Sequence, residues 1–303
     1  MPSRLPRDYC PEREAVEERF LKRGRWHRLR ATLGATVLTF LALGGALCGC
    51  GSISGSAGSF SSVQPNVLTV ATAAVPSAGF WEGTATHPTG GFEYELAREM
   101  AKRFGLDRVQ IKVVHFHRLV SGHLGGADLG IDLITPTAER EDVLEFSTPY
   151  LKSAPTVVVR SGTEVPDLAG AQELRWGAVR STTFVEAIAD SIVPEASIRL
   201  FDGQRELLAA LSSGRVEAAL FDLPLAVAIA SESKGELEAV AQLPDREALS
   251  VALPKGSSNR QAVDSAIRAF TADGTIEDLL SEWVGSDATE AESAIPLLHT
   301  TLH

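Results

Sequence analysis

One guanidinium and two hydroxyls follow directly on a predicted buried strand. The apolar run at residues 129–134 indicates the strand, and Thr135, Pro136 and Thr137 end it shortly before Arg140. The planar fork of an arginine binds a carboxylate through two parallel hydrogen bonds, and threonine hydroxyls can serve as further donors. These residue types at the end of a strand indicate an anion site, while an ordinary surface arginine among acidic neighbours is the alternative.

A second group of hydroxyls stands where a helix is predicted to begin. Thr182 and Thr183 follow a short predicted strand, Trp176–Val179, and precede a predicted helix at residues 184–189. The N-terminus of a helix presents unpaired N–H groups and partial positive charge, which suit a carboxylate. Helix capping is the alternative role of either threonine, and capping is compatible with ligand binding.

Acidic and histidine side chains complete the candidates. Asp132 lies inside the first of these strands, and Asp222 follows another predicted strand at residues 216–221. His115 and His117 are predicted to share one face of a strand, but no third ligand with metal-site spacing accompanies them. We therefore predict no metal and no cofactor. The sequence also contains no P-loop, no G-x-S-x-G motif and no zinc-protease motif.

Length and composition indicate a globular body of two lobes. The 303 residues exceed one ordinary compact domain, and 44% hydrophobic with 22% charged residues is typical of globular proteins. Residues 51–303 hold 19 Lys/Arg and 34 Asp/Glu, a formal charge of −15, which argues against nucleic acid or an anionic membrane surface as the partner of this body. No cysteine lies beyond Cys50, so no disulfide framework, cysteine-ligated metal or cysteine nucleophile is expected there.

The first 50 residues have the pattern of an export signal. Residues 1–30 form a basic leader predicted to stay in the cytoplasm, and residues 31–50 hold an uncharged apolar run followed by small residues. LCGC at residues 47–50 resembles a lipobox, which implies cleavage before Cys50 and lipidation of its sulfur. An uncleaved anchoring helix is the alternative. Residues 51–66, rich in Gly and Ser, are predicted to be a flexible linker.

Two longer segments of the sequence have the form of motifs. One is DLGIDLITPTAEREDVLEFSTPYL at residues 128–151, which includes Thr135 and Arg140, and the other is GFEYELA at residues 91–97. Together they resemble the family 3 extracytoplasmic solute-binding proteins, the receptors of polar amino-acid ABC importers, and the resemblance covers about residues 67–285. It implies an α/β, two-lobed periplasmic-binding-protein fold of type II, in which two open mixed sheets with flanking helices are joined by two hinge strands.

The resemblance implies boundaries for the two lobes and for the segments that cross between them. Residues 67–159 and 250–285 would form the first lobe, and residues 160–249 would form the second. Residues 286–303 lie beyond the pattern and are predicted to be a loose tail. Glu93, inside the GFEYELA motif, is predicted to lie on a solvated helix face.

The resemblance also implies a role for each polar candidate. Arg140, Thr135 and Thr183, with Thr182 beside it, would bind the α-carboxylate of an amino acid, and Asp222 would bind its α-ammonium. Opposite charges in a partly dry cleft select zwitterions because unmatched groups would stay buried and unpaired. A hinge motion would close the lobes on this ligand.

Other pocket positions follow the family or depart from it. Ala73 stands where the family commonly has an Asp, and Ser181 replaces a Gly. Asp132 and Leu133 occupy positions where small residues are common, and we predict that Asp132 favours a basic or amine-bearing ligand. The aromatic side chains expected to line the pocket are Phe80, Trp81 and Phe116.

The implied function is binding rather than catalysis. The chain is expected to be the monomeric substrate-binding lipoprotein of an ABC importer, anchored on the outer face of the cytoplasmic membrane and recognised by permease subunits once it has closed on a polar amino acid. Two alternatives on the same scaffold stay open. One is a cyclohexadienyl-dehydratase-like enzyme, with Asp132 or Asp222 as general acid, and the other is a muropeptide-binding or sensory module.

Overall fold

A computed structural model describes residues 59–285 and 287–299. The basic leader, the apolar run, the lipobox with Cys50 and residues 51–58 of the predicted linker lie outside the described residues, so the predictions made for them are not tested by the structure. Among the described helices, none has the length and apolar character needed to cross a membrane.

The first lobe is built on a six-stranded mixed sheet. Its strands are β1 (Val67–Thr72), β4 (Arg108–Val113), β5 (Leu129–Ile134), β6 (Leu144–Phe146), β7 (Leu151–Ser153) and β13 (Glu247–Pro254). They run in the order β4-β1-β5-β13-β6, with β7 paired to β13. β1 pairs in parallel with β4 and β5, while β13 runs antiparallel to β5, β6 and β7. A parallel centre needs apolar residues on both faces, and every residue of β1 is buried.

The second lobe has a five-stranded sheet of the same mixed kind. Its strands are β8 (Pro155–Arg160), β9 (Trp176–Val179), β10 (Arg199–Phe201), β11 (Ala218–Asp222) and β12 (Leu237–Gln242). They run in the order β10-β9-β11-β8-β12; β9 pairs in parallel with β10 and β11, and β8 runs antiparallel to β11 and β12. The two sheets confirm the predicted α/β architecture with two open mixed sheets.

Helices flank both sheets, and a small hairpin of β2 (Glu82–Thr84) and β3 (His87–Gly90) precedes the first of them. The helices near the first sheet are Phe92–Arg103, Phe116–Val120, Ala138–Glu141, Arg260–Ala272 and Thr275–Trp283. Those near the second are Leu168–Glu173, Thr183–Ala187 with the π-helical turn Ile188–Ile192, Gln204–Ser212, and Leu223–Glu232. A further helix, Asp287–Ala294, follows near the C-terminus.

Helix Phe92–Arg103 is fixed to the first lobe by its N-terminus. Gly91 precedes it with φ 111°, and a side chain at this position would collide with the backbone of Phe80. Only a glycine allows this close approach without strain, which explains the first letter of the GFEYELA motif. Phe92 and Met100 are fully buried on the face that packs into the lobe core.

The boundaries between the lobes differ from those predicted. Strand β8 was assigned to the first lobe up to residue 159, but it pairs with β11 and β12 of the second sheet. Residues 157–159 are a continuous apolar run that is buried between these two partners. The chain therefore changes lobe at Ala154, and it returns before Glu247, where β13 begins.

The end of the predicted linker is packed on the first lobe. The rings of Phe60 and Phe104 stack with centroids 4.3 Å apart. Ser61 exchanges two hydrogen bonds with the side chain of Asn259, at 2.8 and 2.9 Å. The prediction of a flexible linker up to residue 66 is therefore wrong for residues 59–66, because aromatic and amide contacts hold this segment.

The predicted loose tail is also partly wrong. Residues 287–294 form a helix, and the side-chain amide of buried Gln242 donates to the backbone carbonyls of Glu292 at 3.1 Å and Ile295 at 2.7 Å. The backbone of His299 accepts a 3.0 Å hydrogen bond from Leu168. The tail is therefore fastened to the second lobe, because it satisfies polar groups that would otherwise be buried without partners.

A third correction concerns the two histidines near β4. This strand ends at Val113, and His115 stands at the N-terminus of the short helix that contains His117. The two rings are stacked with centroids 5.8 Å apart. They do not share the face of one strand, because the chain turns into the helix directly after the strand ends.

Candidate functional site

A cleft between the two sheets encloses about 780 Å³, including its open mouth. Residues from the ends of β5 and β11, and from the loop after β9, face one another across it. The structure brings all nine predicted ligand residues to its walls, namely Phe80, Trp81, Phe116, Asp132, Thr135, Arg140, Thr182, Thr183 and Asp222. In open α/β sheets, ligands bind at such carboxyl ends of strands.

Arg140 links the two lobes across this cleft. It belongs to the one-turn helix Ala138–Glu141, whose N-cap Thr137 accepts a hydrogen bond from the Arg140 N–H. Its Nη1 donates to the Thr135 carbonyl at 2.6 Å, and its Nη2 donates to the Ser181 carbonyl of the second lobe at 2.7 Å. Only 7% of Arg140 is exposed, and this burial lowers the pKa of the guanidinium while Glu247 opposes the shift.

An aromatic ring supports the guanidinium from one side. The Cζ atom of Arg140 lies 5.5 Å from the centroid of the Phe116 ring. A cation at this distance from an aromatic face is attracted by the ring quadrupole, more strongly when water is excluded. Phe116 therefore contributes to the position of Arg140 as well as to the cleft wall.

Ser181, whose carbonyl accepts the hydrogen bond from Arg140, has a left-handed backbone conformation. Ser181, at the position where the resemblance implied a glycine, has φ 62°. Leu133, on the opposite wall, has φ 49°. Non-glycine residues in this region are uncommon and their conformation costs free energy, so surrounding contacts must hold them. For these two residues the contacts are the hydrogen bond from Arg140 to the Ser181 carbonyl and that from the Leu133 N–H to Glu93.

The two threonines before the short helix Thr183–Ala187 have different roles. The Thr182 hydroxyl donates to the Val179 carbonyl at 2.7 Å and makes no capping hydrogen bond. Thr183 is the first helical residue and lines the cleft half-buried. Of the two, Thr183 has the hydroxyl that is not committed to a backbone carbonyl in the hydrogen bonds of the described residues.

Asp222 presents an unsatisfied carboxylate oxygen. It ends β11 and occupies the N-cap position of helix Leu223–Glu232, but its side chain makes no capping hydrogen bond. The first helical N–H, that of Leu223, donates instead to the Ser153 hydroxyl at 2.9 Å. Asp222 is 4% exposed, and its Oδ1 has no hydrogen-bond partner among the described residues. Burial, followed by the charge of Glu247, raises the pKa of Asp222 well above its ordinary value. A buried oxygen without a donor is costly, so the site suits a ligand that donates to it.

Asp132 supplies a carboxylate beside Ala73. Its Oδ1 accepts hydrogen bonds from the Thr72 hydroxyl at 2.6 Å and from the Ala73 N–H at 3.1 Å. Burial raises the pKa of Asp132 above its ordinary value. The first lobe therefore has an acidic group next to residue 73, although that residue is an alanine.

Glu93 corrects a prediction. It was assigned to a solvated helix face, but it is 1% exposed and accepts hydrogen bonds from Trp81 Nε1 at 2.6 Å, Leu133 N at 2.8 Å and the Tyr150 hydroxyl at 2.5 Å. Burial, followed by the charge of Asp132, raises the pKa of Glu93 from 4.5 to about 7. The Glu93 carboxylate therefore holds three neighbouring groups in place at the cleft wall, and Trp81, which also lines the cleft, directs its Nε1–H to it.

Glu247 is a cleft residue that the sequence analysis missed. It begins β13, the strand on which the chain re-enters the first lobe, and it lines the cleft. Its Oε2 accepts a hydrogen bond from the Thr135 hydroxyl at 2.5 Å. No motif indicated this residue; the one available signal was an acidic residue next to a predicted crossing strand.

The cleft is strongly acidic. Four carboxylates line it, from Glu93, Asp132, Asp222 and Glu247, together with the single guanidinium of Arg140. Carboxylates that share a partly dry space each raise the pKa of the others, in agreement with the direction found for Asp222 and Glu93. The site therefore has one strong anion-binding group and a surplus of cation-binding groups.

Comparison with known proteins agrees with the fold. The chain matches the bacterial extracellular solute-binding proteins, family 3, over residues 68–286. It is 29% identical over 206 residues to the L-cystine-binding protein TcyJ of Escherichia coli (strain K12), covering 66% of this chain and 76% of that protein. It is 26% identical over 208 residues to the ABC transporter glutamine-binding protein GlnH of Bacillus subtilis (strain 168), covering 66% and 74%.

A solved structure of an amino-acid-binding protein has a similar fold. An ancestral arginine-binding protein bound to arginine is 25% identical, aligns with a TM-score of 0.62, and is matched over 72% of this chain and 98% of that one. These three similar proteins are all named as binding proteins rather than enzymes. Because the family match spans most of the described residues and more than half of the chain, the protein belongs to the bacterial extracellular solute-binding proteins, family 3.

Proposed function

We propose that this protein is the substrate-binding component of an ABC importer and captures an amino acid between its lobes. The observation that carries the proposal is that Arg140 of the first lobe and Asp222 of the second lobe line the same cleft. A guanidinium and an unsatisfied carboxylate on opposite walls match the two opposite charges of a zwitterion.

The α-carboxylate would lie against Arg140, Thr135 and Thr183. Arg140 has five N–H donors, of which two are engaged by backbone carbonyls in this structure, so donors remain for a ligand. The hydroxyl of Thr183 and the N-terminus of its helix are on the facing wall. A charge-assisted hydrogen bond to a carboxylate is roughly twice as strong as a neutral one.

The α-ammonium would bind Asp222. The Oδ1 of this residue lacks a partner among the described residues, and a ligand ammonium would supply one. Removing that pairing would leave a buried charge unmatched on either molecule, which is the basis of strong discrimination between ligands. An amine without a carboxylate would leave Arg140 without a partner, and an acid without an amine would leave Asp222 without one.

Closure of the lobes would couple ligand binding to transport. In this structure, Arg140 reaches Ser181, and Ser77 and Gln204 contact each other across the cleft at 3.3 Å. A ligand that contacts both lobes shifts the population toward the closed form by its difference in affinity for the two forms. We propose that permease subunits recognise the closed form. We further propose that the protein works as a monomer outside the cell, held to the membrane through lipidated Cys50 or an uncleaved helix.

The experiment is a binding screen of the full-length chain in mild detergent against the twenty amino acids. A ligand at about 100 times its dissociation constant adds roughly 2.7 kcal/mol to the free energy of unfolding, which is visible as a higher melting midpoint. The shift should vanish in Arg140→Ala and persist in Arg268→Ala, which removes an exposed arginine of helix Arg260–Ala272. A shift that is absent for every amino acid, or turnover of prephenate by the chain, would contradict the proposal.

A further inference from the structure

The segment that follows the family match crosses from the first lobe to the second. The match ends at residue 286, and the residues described beyond it are 287–299, which we call the C-terminal strap. The preceding helix, Thr275–Trp283, packs on helices of the first lobe, whereas the end of the strap is bound to the second. The chain therefore passes between the lobes once more, in addition to the crossings at Ala154 and before Glu247.

The strap is bound to the second lobe at the end of β12. The backbone N–H of Gln242 donates to the Pro296 carbonyl at 2.8 Å, and the Gln242 carbonyl accepts from the Leu298 N–H at 2.8 Å. Leu298 also packs against the apolar core of the second lobe. Gln242 in turn pairs with Thr156, two residues after the crossing at Ala154. The strap is therefore fixed beside the ends of both other crossings.

A charged pair joins the strap to the second of these crossings. Arg246 stands directly before β13, and its Nη2 donates to the Glu292 carboxylate of the strap at 3.0 Å. Both side chains are exposed, so the pair adds little to the free energy of unfolding. Its place nevertheless shows that the strap and this crossing run side by side.

The helix of the strap lies against one helix of each lobe. Helix Asp287–Ala294 contacts helix Thr275–Trp283 of the first lobe and helix Leu223–Glu232 of the second. The last of these has Asp222 as its N-cap residue, so it begins at the wall of the cleft. A hinge motion that separates the lobes moves helix Leu223–Glu232 relative to helix Thr275–Trp283, and the strap spans the two.

The connection has little slack. Val284, the C-cap of the last helix of the first lobe, is buried, and so is Ala291 in the helix of the strap. Residues 285 and 286 alone separate the two helices in the sequence, and two extended residues span at most about 7 Å. An α-helix has a fixed rise per residue and lengthens only by breaking its hydrogen bonds. A wide separation of the lobes at this point must therefore release the strap from one of them.

We propose that the C-terminal strap limits how far the two lobes open, so that the wall carrying Asp222 stays near the wall carrying Arg140 in the ligand-free protein. Two crossings allow bending and twisting at the hinge, whereas a third one fixed beside them restricts both motions. A narrower range of open forms leaves less to be ordered when a ligand binds, which favours tight binding. The limit on opening goes beyond the proposed function, because it does not depend on the ligand.

The test slackens the strap while it leaves both of its ends in place. The sequence Gly-Ser-Gly-Ser-Gly-Ser is inserted between Ser286 and Asp287 of the full-length chain, and the matched control carries the same insertion after His303. Spin labels are attached at Ser121→Cys and Leu200→Cys, two exposed positions on opposite lobes beside the cleft mouth.

The native cysteines, Cys10, Cys48 and Cys50, are replaced by serine in every chain, so that the labels react at the two introduced positions only. Pulsed electron paramagnetic resonance then gives the distance between the labels in the ligand-free protein in mild detergent. We expect the mean distance to be longer by more than about 2 Å in the slackened chain than in the control, with a broader distribution. A second variant that ends at Ser286, and so lacks the strap, should show at least the same increase.

The outcomes separate this proposal from the proposed function. Equal distance distributions in the slackened chain and the control overturn the limit on opening, and the insertion keeps the test available if the shortened chain does not fold. If the slackened chain opens further but no amino acid binds to any form, the role of the strap stands and the proposed function falls. If amino acids bind and the distances are equal, the proposed function stands and the role of the strap falls.

Discussion

The guanidinium of Arg140 in the first lobe lies 2.7 Å, Nη2 to oxygen, from the carbonyl of Ser181 in the second lobe. The same guanidinium holds the Thr135 carbonyl at 2.6 Å on its own lobe. One buried cation therefore joins both walls of the cleft, at the place where the α-carboxylate of a ligand is proposed to bind. Closing the lobes and completing the anion site are then one event.

The raised pKa of Glu93 predicts that the free energy of unfolding decreases as pH rises. Its pKa is raised from 4.5 to about 7 by burial and by Asp132, so between these values the folded protein holds a proton that the unfolded chain has released. The contribution is fully present below about pH 4.5 and is lost as pH rises through about 7, a change of about 3 kcal/mol. Asp132 and Asp222, whose pKa values are also raised, act in the same direction.

Chemical denaturation of the ligand-free chain between pH 5 and 8 measures this effect. Glu93→Gln should flatten the decline, because the neutral amide cannot titrate, while the exposed control Glu277→Gln should keep it. Equal pH slopes in the native protein and Glu93→Gln would contradict the assignment of the proton to Glu93.

Asp222→Asn should separate binding from stability. We expect binding of the best amino acid to weaken by about 100-fold, because a charge-assisted pair is worth roughly 1.5–3 kcal/mol and the ammonium is left unmatched. The free energy of unfolding of the ligand-free protein should not fall at pH 8, because a buried carboxylate with an unpartnered oxygen is removed. Calorimetry and urea denaturation measure the two quantities.

The matched control for this substitution is Asp107→Asn at an exposed position, which should change neither quantity. A binding loss that is accompanied by an equal loss of stability would assign Asp222 a structural role instead.

The C-terminal segment should be held less firmly when Gln242 is shortened, although the backbone hydrogen bonds of residue 242 to Pro296 and Leu298 remain. Gln242→Ala removes both side-chain hydrogen bonds to the backbone of residues 292 and 295 and leaves a small cavity. We expect a loss of about 1–3 kcal/mol in the free energy of unfolding and faster hydrogen exchange in residues 291–299. Gln261→Ala, at an exposed helix position, should do neither. Unchanged exchange in the tail of Gln242→Ala would show that the backbone hydrogen bonds, rather than the side chain of Gln242, hold it.

Ser181→Gly should preserve or raise stability. Ser181 has φ 62°, and this conformation costs a residue other than glycine roughly 1–2 kcal/mol, part of which is offset by the greater chain entropy of glycine. The expected change in the free energy of unfolding is about 0 to +1 kcal/mol. Ser281→Gly, inside helix Thr275–Trp283, should instead cost about 0.5 kcal/mol. A marked destabilisation by Ser181→Gly would mean that its side chain has a role that the conformation does not reveal.

The sequence allowed the fold and the main polar residues of the cleft to be predicted for a physical reason. Arg140 and Asp222 belong to motifs at strand ends, and strand ends can be located from apolar runs and their breaks. Each side chain could therefore be assigned to the end of its own strand before any contact was known, and the resemblance to the family implied that the two face one cleft.

Glu93 and Glu247 could not be predicted because their environment is made by distant parts of the chain. Glu93 is buried by Tyr150 and Leu133, and Glu247 accepts its hydrogen bond from Thr135, which is 112 residues away. Helical periodicity locates apolar faces only, so it gave no sign that an acidic residue beside Phe92 would be buried. The docked tail was missed for the same reason, since its anchor is the remote side chain of Gln242.

The most direct measurement compares the best-bound amino acid with two analogues that each lack one α-group. For lysine these are cadaverine, without the α-carboxylate, and 6-aminohexanoate, without the α-ammonium. We expect each analogue to bind the full-length chain at least about 100-fold more weakly in calorimetry, because Arg140 or Asp222 is left buried without its partner. An analogue that binds as tightly as the amino acid would contradict the claim that the cleft recognises both α-groups.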